Sequence, residues 1–182
     1  MLKSIPFVLL LATLTATTPQ NIFITKSGKI SFSSRSKIEK IEADNNEVSS
    51  VFNTSTNELV FSLLLKSFHL DRALMEEHFN ENYVESDKYP KSTFKGMITN
   101  PPSDYSKDGS FNVSAGGELT LHGVTKPVTA TGIITVKNGR VSLYSKFNIK
   151  LRDYNISIPS LVADKISEDI DITVDCKYEP KN

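Results

Sequence analysis

Tryptophan is absent from this chain, and cysteine occurs once, as Cys176. A lone cysteine excludes an internal disulfide framework and a zinc site built on cysteines. A surplus of charge is also missing: Lys+Arg and Asp+Glu both number 21, for a formal net charge of +0. A neutral chain offers no electrostatic case for nucleic acid or an anionic membrane surface as partner. No Gly-rich phosphate loop and no Gly-x-Ser-x-Gly element occurs, and Ser160 and Asp164 near Pro159 form no nucleophile motif. There is no internal repeat and no low-complexity linker, so 182 residues read as one domain with a short extra segment.

A long hydrophobic run is lacking too. Ile5 to Leu14 is apolar almost throughout, but a membrane span needs about 20 such residues. Lys3 before it and Thr15-Ala16-Thr17-Thr18 after it predict a secretory signal peptide over residues 1–19, cleaved between Ala16 and Gln20. With no cysteine nearby to carry a lipid, a lipoprotein is not expected. The domain is then expected over residues 20–182, periplasmic or secreted, with no stable membrane insertion once the signal is removed.

What is present is alternation. Ile170, Ile172, Val174, Cys176 and Tyr178 alternate with Asp169, Asp171, Thr173, Asp175 and Lys177, the period of a half-buried strand. Val141, Leu143, Ser145, Phe147, Ile149 and Leu151 share a face in the same way. So do Leu59, Phe61, Leu63 and Leu65 in the most apolar run after the N-terminal segment. Asn138-Gly139 between two such runs is the strongest short hairpin signal, a type I′ turn. Lys26–Lys29, Asp44–Asn46 and Asn53–Asn57 read as further turns, and Gly123 and Pro127 as a hairpin tip. Gly116-Gly117 allows a bend in a long strand. Asp71 to Phe79 is the one convincing helix, with Leu74, Met75, His78 and Phe79 on one side, Glu76 and Glu77 facing away, and Asn80 and Asn82 ending it. These signals predict an all-β fold, an extended antiparallel barrel of about eight strands with one short helix covering a face or an open end.

A barrel of that size is either just filled by side chains or holds one small ligand. The inward candidates are Phe32, Phe52, Phe61, Leu63, Leu65, Phe94, Phe147 and Ile149, with Ile172 and Val174; Leu74 and Phe79 join them from the helix, near the mouth. Nothing in that set satisfies a buried polar group, so a ligand there is apolar. Alternation alone leaves two readings open, a ligand cavity or a filled core belonging to a structural or adhesion module.

The three histidines, His69, His78 and His122, are not spaced to share a metal with Glu76 and Glu77, and no metal site is expected. His78 is expected to pack under the helix and His122 to order the hairpin tip. Glu81, Glu85 and Asp87 lie on a polar link and read as solvated rather than as a carboxylate pair for glycoside chemistry.

The segment Leu119-Thr120-Leu121-His122-Gly123-Val124-Thr125-Lys126-Pro127-Val128 closely resembles the most recognisable stretch of the YceI-like family of bacterial polyisoprenoid-binding proteins. Ile30-Ser31-Phe32-Ser33 resembles that family's early Phe-bearing strand, and Tyr89-Pro90-Lys91-Ser92-Thr93-Phe94 its Tyr-Pro-x-x-x-Phe strand start. The resemblance implies a lipocalin-like barrel that binds an isoprenoid tail in an elongated apolar cavity, for transport, storage or sequestration. It implies no catalytic residues and no cofactor beyond the bound lipid. The expected partners are that isoprenoid lipid and, as an option, a second copy in a homodimer.

Overall fold

The computed structural model describes residues 21–181. The segment expected to be a signal peptide lies outside them. One antiparallel sheet of nine strands runs in the order β1-β9-β8-β7-β6-β5-β3-β2-β4, and a β1–β2 pairing closes it into a barrel. The strands are β1 (Ile22–Arg35), β2 (Lys40–Asn53), β3 (Glu58–Leu64), β4 (His69–Leu70), β5 (Lys91–Ile98), β6 (Gly109–Leu121), β7 (Val124–Lys137), β8 (Arg140–Lys150) and β9 (Asp169–Pro180). β4 is only two residues long and borders β2 alone, so the wall itself is built from the other eight. One helix, α1 (Ala73–His78), lies between β4 and β5.

Alternation sets the faces. Across β8 and β9 the inward residues meet as direct partners: Leu143 with Cys176, Ser145 with Val174, Phe147 with Ile172, Ile149 with Ile170. Their neighbours Tyr144, Lys146, Asp171 and Asp175 are exposed. A one-residue slip would turn every oily side chain outward, which fixes the register. Asn138 and Gly139 both have positive φ, 51° and 72°, as the β7–β8 type I′ turn requires.

Two expected turns are absent. Lys26–Lys29 lies inside β1 and Asp44–Asn46 inside β2. They face each other as compensating irregularities: β1 carries an extra residue between Thr25 and Gly28, and β2 one between Val48 and Asn45. Asn45 is buried there rather than solvated. Its Nδ2 donates to the Leu64 carbonyl at 2.9 Å, and its Oδ1 accepts from the Glu47 amide at 2.9 Å. A polar turn-former thus stitches β2 to β3 from within the wall. The β6–β7 tip is also tighter than expected. His122 and Gly123 alone form it, at φ 50° and 73°, and Pro127 pairs with Glu118 inside the ladder.

The barrel is filled at one end. Phe52, Val48, Ile134, Val136, Val141, Cys176 and Tyr178 are all at most 2% exposed. The Phe52 ring meets Tyr105 edge-on at 5.4 Å and Tyr178 at 6.3 Å. Tyr105 comes from the loop between β5 and β6, and its hydroxyl donates to Asn57 Oδ1 at 3.0 Å. The Tyr178 hydroxyl lies 2.7 Å from Ser50 Oγ, which donates to the Val60 carbonyl. These aromatic rings and hydroxyls make a satisfied plug across the end that carries the β2–β3 and β7–β8 turns.

Candidate functional site

Above the plug the inward side chains no longer meet. They enclose an apolar cavity of about 430 Å³, within the size range of small-molecule sites. Its floor is Leu59, Ile98, Val113, Leu143 and Val174, all buried. Higher up the wall is Phe61, Leu63 and Leu65 from β3 and the turn after it, Phe94 from β5, and Phe147, Ile149 and Ile172 from β8 and β9. Phe94, Phe147 and Ile172 are half-buried although they point inward, because they border open space.

Room for Phe94 comes from a glycine pair. Gly96 and Gly117 are direct partners across β5 and β6, and a Cβ on either would fall 2.6 or 2.8 Å from Phe94 Cζ. The ring lies over bare backbone. The expected bend at Gly116-Gly117 is therefore a shelf for an aromatic side chain, a use that strand glycines often serve.

The serine hydroxyls on the wall are already engaged. Ser92 Oγ donates to the Thr120 carbonyl at 2.8 Å and Ser145 Oγ to the Thr131 carbonyl at 2.7 Å. Ser34 Oγ accepts from the Ser167 amide at 2.8 Å. With these pairs made, the wall presents mainly hydrocarbon, with Thr93 and the Tyr83 phenol as its remaining hydroxyl-bearing residues.

The other end is the mouth. α1 and the π-type turn that continues it, Phe79–Tyr83, stand on one side. Phe79 stacks on Phe32 at 5.2 Å and meets Phe68 edge-on at 5.7 Å. This contact, not a cap, holds the helix: Arg72 precedes it with no side-chain cap bond. The charged side chains that border the cavity, Glu39, Arg72 and Lys165, lie here with His78 and the Tyr83 phenol, which burial raises above its ordinary value, and the Arg72 guanidinium pairs with Glu39.

The wall parts on the opposite side. The β7–β8 ladder stops at Thr131 and Lys146, although β7 continues to Val124 and β8 to Lys150. The segment 151–168 fills that slot, with Tyr154 and Ile156 buried at 2% and 3%. Ile156, Val162 and Ile166 face the cavity from it. His122 pins it: Nδ1 lies 3.0 Å from the Tyr154 carbonyl and Nε2 2.7 Å from Glu85 Oε2, with the Tyr89 ring edge-on at 4.7 Å.

Of the residues expected to line a cavity, Phe32, Phe61, Leu63, Leu65, Phe79, Phe94, Phe147 and Ile149 border it. Phe52 and Leu74 do not. Phe52 lies too far along β2 and is locked into the plug. Leu74 is 61% exposed because α1 turns Met75 and Phe79 to the cavity instead. Glu76 does not face away: its Oε2 accepts from the Leu70 amide at 3.0 Å. His78 is exposed rather than packed beneath the helix, and Glu85 is bonded to His122 rather than simply solvated. Sequence reasoning missed the contribution of segment 151–168. Its signal is the density of apolar residues after β8, of which Leu151, Tyr154, Ile156, Val162 and Ile166 turn inward.

Burial raises the Tyr105 phenol to about 12 and pushes Tyr178 further in the same direction. The Cys176 thiol is raised to about 12, chiefly by burial and then by Asp175. All three stay neutral in the plug.

Comparison with known proteins places this geometry. The model of a YceI-like domain matches residues 22–178. A UPF0312 protein of Yersinia pestis (strain Pestoides F) is 31% identical over 98 residues, which is 50% of this chain and 47% of that protein. The match thus spans about half the length of such relatives. Among solved structures, a polyisoprenoid binding domain from Saccharophagus degradans superposes with a TM-score of 0.76 at 16% identity, over 90% of this chain and all 100% of that one. Burkholderia cenocepacia BcnA gives 0.69 at 17% identity, over 84% of this chain and 96% of its own. The YCEI protein of Campylobacter jejuni gives 0.61 at 18% identity, over 76% and 85%.

Proposed function

The chain belongs to the YceI-like family, and from that premise we propose that it binds the tail of an isoprenoid lipid in the apolar cavity, as a binding protein rather than a catalyst. The carrying observation is the cavity itself. It is about 430 Å³ of space walled by Phe61, Leu63, Phe94 and Phe147, in which the wall serines are bonded to the backbone. A branched hydrocarbon fits such a wall; a polar metabolite would strip its own water and gain little replacement below the mouth. The Saccharophagus degradans domain with the same fold is described as polyisoprenoid-binding, which supports the isoprenoid over a straight acyl chain. Each buried methylene contributes roughly 0.8 kcal/mol, so a few isoprene units offset the cost of ordering the tail.

The role we assign is carriage, storage or sequestration of that lipid outside the cytoplasm. The compartment follows from the N-terminal sequence pattern alone. Native mass spectrometry after gentle purification tests the binding. The expected result is a stoichiometric polyprenyl or isoprenoid-quinone species on the unsubstituted protein. Phe61→Asp or Phe147→Asp on the wall abolishes its retention, and Thr173→Asp on the outer face of β9 leaves it intact. Clean apo protein, or equal loss from wall and outer-face variants, sinks the reading.

A further inference from the structure

Three apolar side chains stand out of the mouth into solvent. Ile38 is 65% exposed, Leu74 61% and Leu161 91%; no other large apolar side chain among the described residues exceeds 49%. They come from three separate elements: the β1–β2 connection, α1, and the 3₁₀ turn Ser160–Val162. Each is the immediate chain neighbour of a cavity-lining residue, Glu39, Met75 and Val162 respectively. The elements are tied together. The Arg72–Glu39 ion pair joins the connection to α1, and the Ser167 amide on Ser34 Oγ joins the end of β1 to the segment carrying Leu161. The three side chains therefore ring one opening.

We propose that this rim is a docking surface for a lipid bilayer, which it enters by inserting Ile38, Leu74 and Leu161 below the headgroups. The inference rests on the lipid-binding reading above, because the occupant of the cavity must be collected from a membrane. Its geometry argues for a bilayer rather than a protein partner. A protein interface needs a broad, contiguous complementary patch. Here isolated apolar points surround a hole that leads into hydrocarbon, and only a fluid apolar phase contacts all three while joining the cavity behind them. Insertion makes the cavity continuous with the acyl layer, so a tail passes from one to the other without crossing water.

The charge of the rim defines the kind of surface. Arg35, Lys37, Lys40, Arg72 and Lys165 lie among Glu39, Asp71, Glu76, Glu77, Asp164 and Glu168. Neither sign dominates, so attraction to anionic headgroups does not drive docking. Attachment is by apolar insertion, as for an interfacial anchor without a polybasic partner, and is weak and reversible.

Vesicle co-sedimentation with phosphatidylcholine alone tests this, in parallel with uptake of a fluorescent farnesyl analogue from solution. The unsubstituted chain should sediment with neutral vesicles, with little change when salt is raised. The triple variant Ile38→Asp, Leu74→Asp, Leu161→Asp should lose at least about tenfold in vesicle affinity while taking up the analogue as before. Leu161→Asp alone, at the most exposed site, gives the same direction if the triple variant fails to fold. Val51→Asp on the barrel flank, 44% exposed, should change nothing. The docking proposal is overturned if the substituted rim binds vesicles normally, if Val51→Asp weakens binding equally, or if binding requires anionic lipid and vanishes with salt. Failure of the unsubstituted protein to take up the analogue would instead overturn the lipid-binding reading on which docking rests.

Discussion

Gly28 sits inside β1 where a side chain has no place to go. A Cβ there would fall 2.5 Å from Cys176 Sγ and 3.3 Å from the Val48 carbonyl. Gly28→Ala is therefore expected to destabilise the fold by about 1–3 kcal/mol through overpacking. Cys176→Ala in the same chain should recover part of that loss in a double-mutant cycle read by denaturant melts. Additive losses would mean that the backbone, not the thiol, resists the methyl. The same burial makes Cys176 inert. With its thiol held up at about 12, native protein should not react with a maleimide at neutral pH until it unfolds. At the surface, Lys29 bonds Asp44 at 2.9 Å and lowers its carboxyl below the usual 3.8, with Ser31 helping. A lowered carboxyl stabilises the fold above its unfolded value, and that stability disappears as pH falls below 3.8. Both side chains are about half exposed, so solvent screening keeps the effect under about 1 kcal/mol. Asp44→Asn should flatten the acid limb of the stability curve by that amount and leave the alkaline limb unchanged.

Among elements, α1 is the least self-sufficient. It has six residues and no capping side chain, and Phe79 anchors it to Phe32 and Phe68. Phe79→Ala is expected to cost about 2 kcal/mol, below the loss for a fully enclosed phenylalanine because the ring is half-buried. Hydrogen exchange should quicken over residues 73–84 while β8 and β9 stay protected; uniform quickening would show that the helix is integral to the barrel. How much of each element was legible depended on local signals. β8 and β9 were readable because every inward residue is apolar or small and nearly every outward one polar. β1 and β2 were broken wrongly, because Lys26–Lys29 and Asp44–Asn46 carry turn-forming residues that serve as matched bulges. Propensity at those sites describes the residue, whereas pairing with the neighbouring strand decides the outcome. The phase of α1 failed for a similar reason. A short amphipathic stretch permits more than one rotation, and Phe79 reaching Phe32 selects the one that turns Leu74 outward.

For the whole molecule, alternation said which side chains point in but not where they stop touching. Phe52 and Phe61 carry the same pattern, yet one is in the plug and the other on the cavity wall. Height along the barrel separates them, and that height is set by the strand pairings and by Tyr105 folding over the end. The cavity therefore has a fixed depth, and we expect it to measure tails. In competition assays with geraniol, farnesol and geranylgeraniol, retention should strengthen with each isoprene unit until the tail reaches Leu143 and Val113, then level off. Val113→Phe should bring the plateau to a shorter alcohol. A rise that continues through long polyprenols would show that the plug yields.

A sealed base makes the interior a cul-de-sac. A molecule that goes in tail-first cannot thread through, so its polar end stays at the entrance for the whole journey. It can be inspected, modified or grasped there without being let go. Delivery must retrace arrival, through the same doorway and in reverse order.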